Sequence, residues 1–140
     1  MSSENRNSDE SDLTGNDQRY HVEVSVEPMF VPEQSDPDNQ RWVFAYFVRI
    51  INRGTTSVRL LTRHWIITDG EQRVREVHGE GVVGEQPDLI PGFEYVYQSG
   101  VVLDTAVGTL QGSYQMLASD GACFDAPIEA VTLAAPQALH

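Results

Sequence analysis

From residue 20 onward, hydrophobic and polar side chains alternate with a period of two in short runs. No long segment repeats with the 3.6-residue period of an amphipathic helix, so the pattern predicts β-strands. In the first run Val22, Val24 and Val26 share one face, and Pro28 is predicted to interrupt that strand. The run RWVFAYFVRIIN is apolar on both faces, as expected of a strand in the middle of a sheet.

Turn residues separate these runs every 8 to 15 residues. Asp69-Gly70 and Asp120-Gly121 are dipeptides typical of tight hairpins, which need positive φ. Pro127 predicts a bulge or an exposed edge in the last strand, because proline cannot donate a ladder hydrogen bond. The pattern therefore predicts an all-β fold, an immunoglobulin-like or fibronectin type III-like antiparallel β-sandwich of about seven strands.

The composition narrows the classes of function. A chain of 140 residues suits one domain, and its formal charge of −12 comes from 21 acidic residues against 9 basic ones, all arginine. Such a surface repels phosphate backbones and anionic lipid, so we expect neither nucleic-acid nor membrane binding. The one cysteine, Cys123, excludes an internal disulfide and is predicted to be a small buried thiol. With no membrane-spanning run and no signal peptide, we expect a soluble cytoplasmic protein.

The ends of the chain differ from its middle. Residues 1–18 are acidic and rich in serine and asparagine, with almost no large apolar side chain, so they are predicted to be a disordered acidic tail. A partner-binding arm is the alternative for this segment. The folded domain is predicted to span residues 19–135, and residues 136–140 to form a C-terminal tail.

The segment HGEGVVGEQP contains the spacing Gly79-x-Gly81-x-x-Gly84. In dinucleotide-binding proteins this spacing follows a buried parallel strand and opens a helix whose N-terminus faces the pyrophosphate. Here the preceding strand is the return arm of a hairpin, and Pro87 and Pro91 prevent a long helix. Out of that context the spacing is weak support for nucleotide binding.

We interpret residues 79–92, called the glycine loop below, as a shaped and rather rigid loop. Val82 and Val83 are predicted to pack beneath it.

Catalytic groups are hard to find, because no serine stands in the G-x-S-x-G context of a hydrolase nucleophile. For metal, Glu76, His78 and Glu80 alternate along the predicted return strand, so their side chains would share a face. Three such groups could hold a divalent ion. The alternative is a solvated polar face on a hairpin arm.

In the strand containing Arg63-His64-Trp65, the first and third side chains share one face and His64 lies on the other. Trp65 is predicted to fill the core, and Arg63 to donate hydrogen bonds to carbonyl groups of the glycine loop. The alternative is that Arg63, with Arg49 or Arg59, presents a guanidinium to an anion such as pyrophosphate. A small-ligand site of this kind would comprise Gly79, Gly81, Gly84, Arg63 and His64.

The segments VFAYFVRIIN, LLTRHWIITD, VHGEGVVGEQPDLIPG, YQSG and GSYQM together resemble the ApaG family, over about residues 20–133. The final PIEAVTL departs from the family pattern, which leaves the register of the last strand open. The resemblance implies a fibronectin type III-like fold, a link to cobalt and magnesium tolerance, and gene neighbourhood with a diadenosine tetraphosphate hydrolase. It implies no established catalytic reaction.

We therefore expect a non-enzymatic binding module that docks a protein partner through loops or a sheet edge, as a monomer or weak homo-oligomer, without a cofactor. The candidate docking residues are Glu80, Glu85, Gln86 and Asp88. One alternative is a sensor that binds pyrophosphate, nucleotide or a divalent ion such as magnesium or cobalt at residues 79–84. The other is a hydrolase of nucleoside polyphosphates.

Overall fold

The computed structural model describes residues 18–136, in which nearly all regular structure is β-strand. The strands are β1 (Val22–Phe30), β2 (Trp42–Asn52), β3 (Val58–Asp69), β4 (Val74–Glu80), β5 (Asp88–Leu89), β6 (Glu94–Leu103), β7 (Val107–Ala118) and β8 (Cys123–Ala134). Two 3₁₀ turns, Pro32–Gln34 and Pro37–Asn39, join β1 to β2.

Two antiparallel sheets pack face to face, which confirms the predicted sandwich. One has the order β1-β2-β6 and the other β4-β3-β7-β8, with the two-residue β5 paired to the start of β3. β2 is central, as its two apolar faces predict. The inward side chains of both sheets form one core, whose fully buried members include Phe44, Val48, Ile50, Leu60, Leu110, Tyr114, Met116 and Leu133.

The two predicted hairpin turns are present but differ in detail. Gly121 has the expected positive φ of 95°, whereas in the Asp69-Gly70 hairpin the positive φ of 67° falls on Gln72. The reason is that the turn runs on to Arg73, whose carbonyl accepts the Asp69 amide. The Asp69 carboxylate also accepts the amides of Glu71 and Arg73, at 2.8 and 3.0 Å, and holds the longer turn closed.

Both prolines of the outer strands lie at sheet edges. β1 does not stop at Pro28, which contradicts the predicted interruption: the strand continues to Phe30, with Pro28 opposite Tyr46. A proline is tolerated there because β1 has a partner on one side only. Pro127 lies opposite Ser113 in the edge strand β8, and the pairing with β7 shifts just beyond it, so both the predicted edge and the predicted bulge are present.

Cys123 is exposed, which contradicts its prediction as a buried thiol. Along β8, Ala126 and Ile128 point into the core, so the alternation of the strand turns Cys123 outward.

The predicted tails, residues 1–18 and 136–140, lie outside the described residues except for their innermost positions, and they stay predictions. Within residues 18–136 no helix has the length and apolar character needed to cross a membrane.

Candidate functional site

The tip of the glycine loop is a tight two-residue turn. Val82 and Glu85 exchange backbone hydrogen bonds of 2.8 and 2.9 Å across it. The two central residues, Val83 and Gly84, have φ of 42° and 82°. Positive φ at both central positions is the signature of a type I′ turn. The last glycine of the G-x-G-x-x-G spacing therefore serves a hairpin turn.

The other two glycines of the spacing make room for neighbours. A Cβ at Gly79 would lie 2.6 Å from the guanidinium carbon of Arg63, and one at Gly81 would lie 2.1 Å from the carbonyl oxygen of Glu85. Gly81 also has a φ of 64°. Gly81 therefore needs glycine for the loop to close, whereas a side chain at residue 79 would displace the guanidinium of Arg63.

The donors of the loop are largely used within the protein. Besides the Val82–Glu85 pair, the Gly81 amide donates to Leu61 O at 2.8 Å, and Gln86 Nε2 donates to the same oxygen at 2.8 Å. The hydroxyl of Tyr95 donates to a carboxylate oxygen of Glu85 at 2.6 Å. The amides of Gly81, Val82 and Glu85 are therefore occupied within the protein, and the contacts fasten the loop to β3 and β6.

Val82 and Val83 have opposite environments. Val82 is buried in the core, as predicted, but Val83 is 56% exposed, so the prediction that both pack beneath the loop is wrong for Val83. The type I′ turn explains the difference, because its central residues stand at the tip and project away from the strands.

Arg63 and Trp65 occupy the predicted places. Trp65 is buried and meets Tyr46 and Tyr114 edge to face. Arg63 Nη1 donates to the carbonyl oxygens of Glu80 and Gly81, at 3.0 and 2.9 Å.

The arginines of the alternative anion site have partners of their own. Arg49 lies on β2 in the other sheet and forms an ion pair with Glu94. Arg59 donates to both carboxylate oxygens of Asp88, at 2.8 and 3.1 Å. This contact lowers the pKa of Asp88 from its ordinary value. The fold thus engages these arginines separately, and they do not converge on a common anion.

Three of the four candidate docking residues have internal partners. Asp88 is held by Arg59, Glu85 by Tyr95, and Gln86 by the backbone of β3. Glu80 ends β4 with its side chain exposed, and its carbonyl accepts Arg63.

A cluster of metal-ligand side chains lies on the outer face of the β3–β4 hairpin. His64 stands directly opposite His78, with the rings stacked at 4.1 Å and 10°. Glu76 Oε1 is 2.7 Å from His64 Nε2 and 3.7 Å from His78 Nε2. One ligand atom from each residue lies within 4.8 Å of the others. The structure thus joins Glu76 and His78 to His64, whereas the sequence pattern had joined them to Glu80.

His64 was missed as a member of this cluster because it is distant in sequence. The register of the hairpin could have revealed it. Residues 64 and 78 are each seven positions from Glu71, the centre of the turn, so they face each other across the two strands. A turn assigned only to Asp69-Gly70 does not give that centre.

Comparison with known proteins decides the family. A family model described as the ApaG domain matches residues 32–118. The chain belongs to the ApaG domain family. Protein ApaG of Azoarcus sp. (strain BH72) is 57% identical over 121 residues, which cover 86% of this chain and 95% of that protein. Protein ApaG of Pseudomonas paraeruginosa (strain DSM 24068 / PA7) is 56% identical over 124 residues, which cover 89% and 98%.

A solved structure extends the likeness to three dimensions. The crystal structure of a Bordetella pertussis protein that carries the name ApaA superposes with a TM-score of 0.83 at 51% identity, covering 86% of this chain and 98% of that one. The ApaG domain match begins after β1 and ends with β7. It therefore contains the whole glycine loop and the three residues of the His64–Glu76–His78 cluster.

Proposed function

We propose that this ApaG domain is a non-enzymatic binding module that docks a partner protein with the tip of its glycine loop. The observation that carries the proposal is Val83, an exposed β-branched residue held at a φ of 42°. Left-handed backbone costs a non-glycine residue about 1–2 kcal/mol, and a side chain that is 56% exposed offsets only part of that cost through burial. Backbone strain of this kind is concentrated at functional sites.

The rigidity of the loop supports docking. Hydrogen bonds of Arg63 and Gln86 connect it to β3, and that of Tyr95 connects it to β6, so the base of the tip is held on two strands. An anchor that is already ordered loses little conformational entropy when a partner binds. Burial of an exposed valine side chain in an apolar pocket of the partner contributes hydrophobic free energy of about 1–2 kcal/mol.

The charge of the loop defines the partner. Val83 stands between Glu80 and Glu85, in a chain with a formal charge of −12. The complementary surface is an apolar pocket on a folded protein, rimmed by lysine or arginine. The family resemblance implies links to cation tolerance and to diadenosine polyphosphate metabolism. We expect the partner to act in one of these processes.

The proposal is tested by capturing partners with the wild type, Val83→Asn and Val74→Asn as baits. Asparagine tolerates positive φ, so Val83→Asn removes the apolar anchor and keeps the turn. Val74 is a matched control because it is a 62% exposed valine at the far end of β4. We expect a protein that the wild type and Val74→Asn retain and Val83→Asn loses.

Affinity of that protein, once purified, is then measured by calorimetry. Loss of the anchor is expected to weaken binding by about 1–2 kcal/mol, and raising salt from about 0.05 to 0.5 M is expected to weaken it further. If Val83→Asn captures the same proteins as the wild type with equal affinity, the loop tip is not the docking surface.

A further inference from the structure

We propose that His64, Glu76 and His78 bind a divalent transition-metal ion such as zinc on the outer face of the β3–β4 hairpin. This site is independent of the loop tip, because its three side chains lie on paired strands. Each of the three side chains offers one atom that can ligate a metal ion, and these atoms lie close together.

The spacing of the donors fits such an ion. With metal–ligand bonds of about 2.0–2.1 Å, neighbouring donors of a tetrahedral site lie roughly 3.3 Å apart. The separations between Glu76 Oε1 and the Nε2 atoms of His64 and His78, 2.7 and 3.7 Å, lie on either side of that value. All three donors lie within 4.8 Å of one another, and rotation of the two stacked imidazole rings about their side-chain bonds would turn their Nε2 lone pairs toward one centre.

The donor set selects the class of metal. Two imidazoles and one carboxylate suit zinc and its neighbours in the first transition row, whereas magnesium and calcium prefer oxygen donors. Three protein ligands leave a coordination position for water or another molecule. That position faces solvent, because the side chains of Glu76 and His78 are 54% and 70% exposed.

The scaffold and the charge of the chain favour a bound cation. His64 is held in β3 between β4 and β7, and the strand register places it directly opposite His78 on the same face of the hairpin. Ligands carried on paired strands are better positioned than ligands on loops. Both Nε2 atoms approach the same oxygen of Glu76, and the negative potential of a chain with charge −12 attracts cations.

The test is calorimetric titration of the full, tag-free chain with zinc chloride, with magnesium chloride as the comparison. We expect one zinc site per chain and no magnesium binding at that site. His78→Ala and Glu76→Gln are each expected to weaken zinc binding by at least about tenfold. Glu80→Gln and His21→Ala are matched controls: Glu80 follows His78 on the same face of β4, and His21 is exposed outside the cluster.

A second measurement identifies the ligands directly. In NMR spectra, zinc is expected to shift the imidazole signals of His64 and His78 together and to leave those of His21 in place. The proposal is overturned by wild-type zinc binding weaker than about 0.1 mM, or by equal zinc affinity in the wild type, His78→Ala and Glu76→Gln. It is also overturned if Glu80→Gln loses zinc and Glu76→Gln keeps it.

Discussion

Arg63 determines which residue can stand at position 79. Its guanidinium lies over Gly79 and donates to the carbonyls of Glu80 and Gly81, so it joins β3 to the start of the glycine loop. A side chain on residue 79 would occupy the space of the guanidinium. Charge-assisted hydrogen bonds of this type are stronger than neutral ones, so their loss should be measurable.

We predict that Gly79→Ala lowers the free energy of unfolding by about 0.5–1.5 kcal/mol, because the displaced guanidinium loses its hydrogen bonds to two partly exposed carbonyls. Urea unfolding measures the change. Gly84→Asn is the control, since no atom lies within 4 Å of a Cβ at that position and asparagine tolerates its φ of 82°. Equal losses in the two variants would show that the Arg63 contact contributes little.

Val83→Asn is predicted to raise the free energy of unfolding by about 0.5–1 kcal/mol, because asparagine adopts the left-handed conformation at lower cost than valine. Thermal and urea unfolding both report it. Val74→Asn, in extended strand, should bring no gain, since it relieves no strain and lowers β propensity. A destabilised Val83→Asn would mean that the valine side chain stabilises the turn, and it would remove the basis of the docking proposal.

At the scale of the strands, the close approach of β7 to β3 depends on Gly112. A Cβ there would lie 1.9 Å from the carbonyl oxygen of His64, a backbone atom that cannot move without shifting β3. Gly100 in β6 has more room, because its Cβ would meet the Phe44 carbonyl at 3.4 Å. Alanine at position 112 would therefore clash with the backbone of β3, whereas alanine at position 100 tests only the general cost of glycine within a strand.

Gly112→Ala is expected to cost about 3 kcal/mol or more and Gly100→Ala less than about 1 kcal/mol. Circular dichroism of the purified variants, followed by urea unfolding, checks the pair. If Gly112→Ala does not fold, its circular dichroism spectrum will be that of a partly unfolded chain. Together with a native spectrum for Gly100→Ala, that result also agrees with the prediction. Similar stabilities of the two variants would contradict it.

The strands themselves were predictable because their signal is local. Alternation and turn spacing predicted about seven strands, which is the number of long strands among residues 18–136, and the doubly apolar β2 was recognised as central. The missed features depend on the surroundings of a residue. β1 passes through Pro28 because it is an edge strand, and the positive φ moves to Gln72 because the Asp69 carboxylate closes a longer turn.

The candidate site was less predictable, since it depends on contacts between strands. The contact between Arg63 and the loop carbonyls was foreseen from the proximity of the two segments. The exposure of Val83 follows from the turn type, and the meeting of His64 with His78 follows from register. Neither is visible until the residues that close the two hairpins are known.

For the molecule as a whole, falling pH has two opposite effects on the stability of the fold, one through unpaired carboxylates and one through paired carboxylates. Protonation of unpaired carboxylates reduces the self-repulsion of a chain with charge −12, which favours the fold. Paired carboxylates behave differently. The pKa of Asp88 is lowered by its hydrogen bond from Arg59, and that of Asp120 by its hydrogen bond from Tyr20. We expect stability to be greatest at mildly acidic pH and to fall steeply below about pH 4.

The contribution of one pair is isolated by comparing the wild type with Asp88→Asn across pH. Because the folded pKa of Asp88 lies below its unfolded value, the folded chain binds fewer protons there, and its stabilisation is complete above about pH 5. It is lost as pH falls through the folded pKa. The difference in melting temperature should therefore be constant from about pH 7 to 5 and shrink toward zero near about pH 2. Glu33→Gln, on an exposed 3₁₀ turn, matches the change in net charge. A difference between the wild type and Asp88→Asn that persists unchanged at the lowest pH would mean that Asp88 stabilises β5 by packing, and that its ion pair with Arg59 contributes nothing.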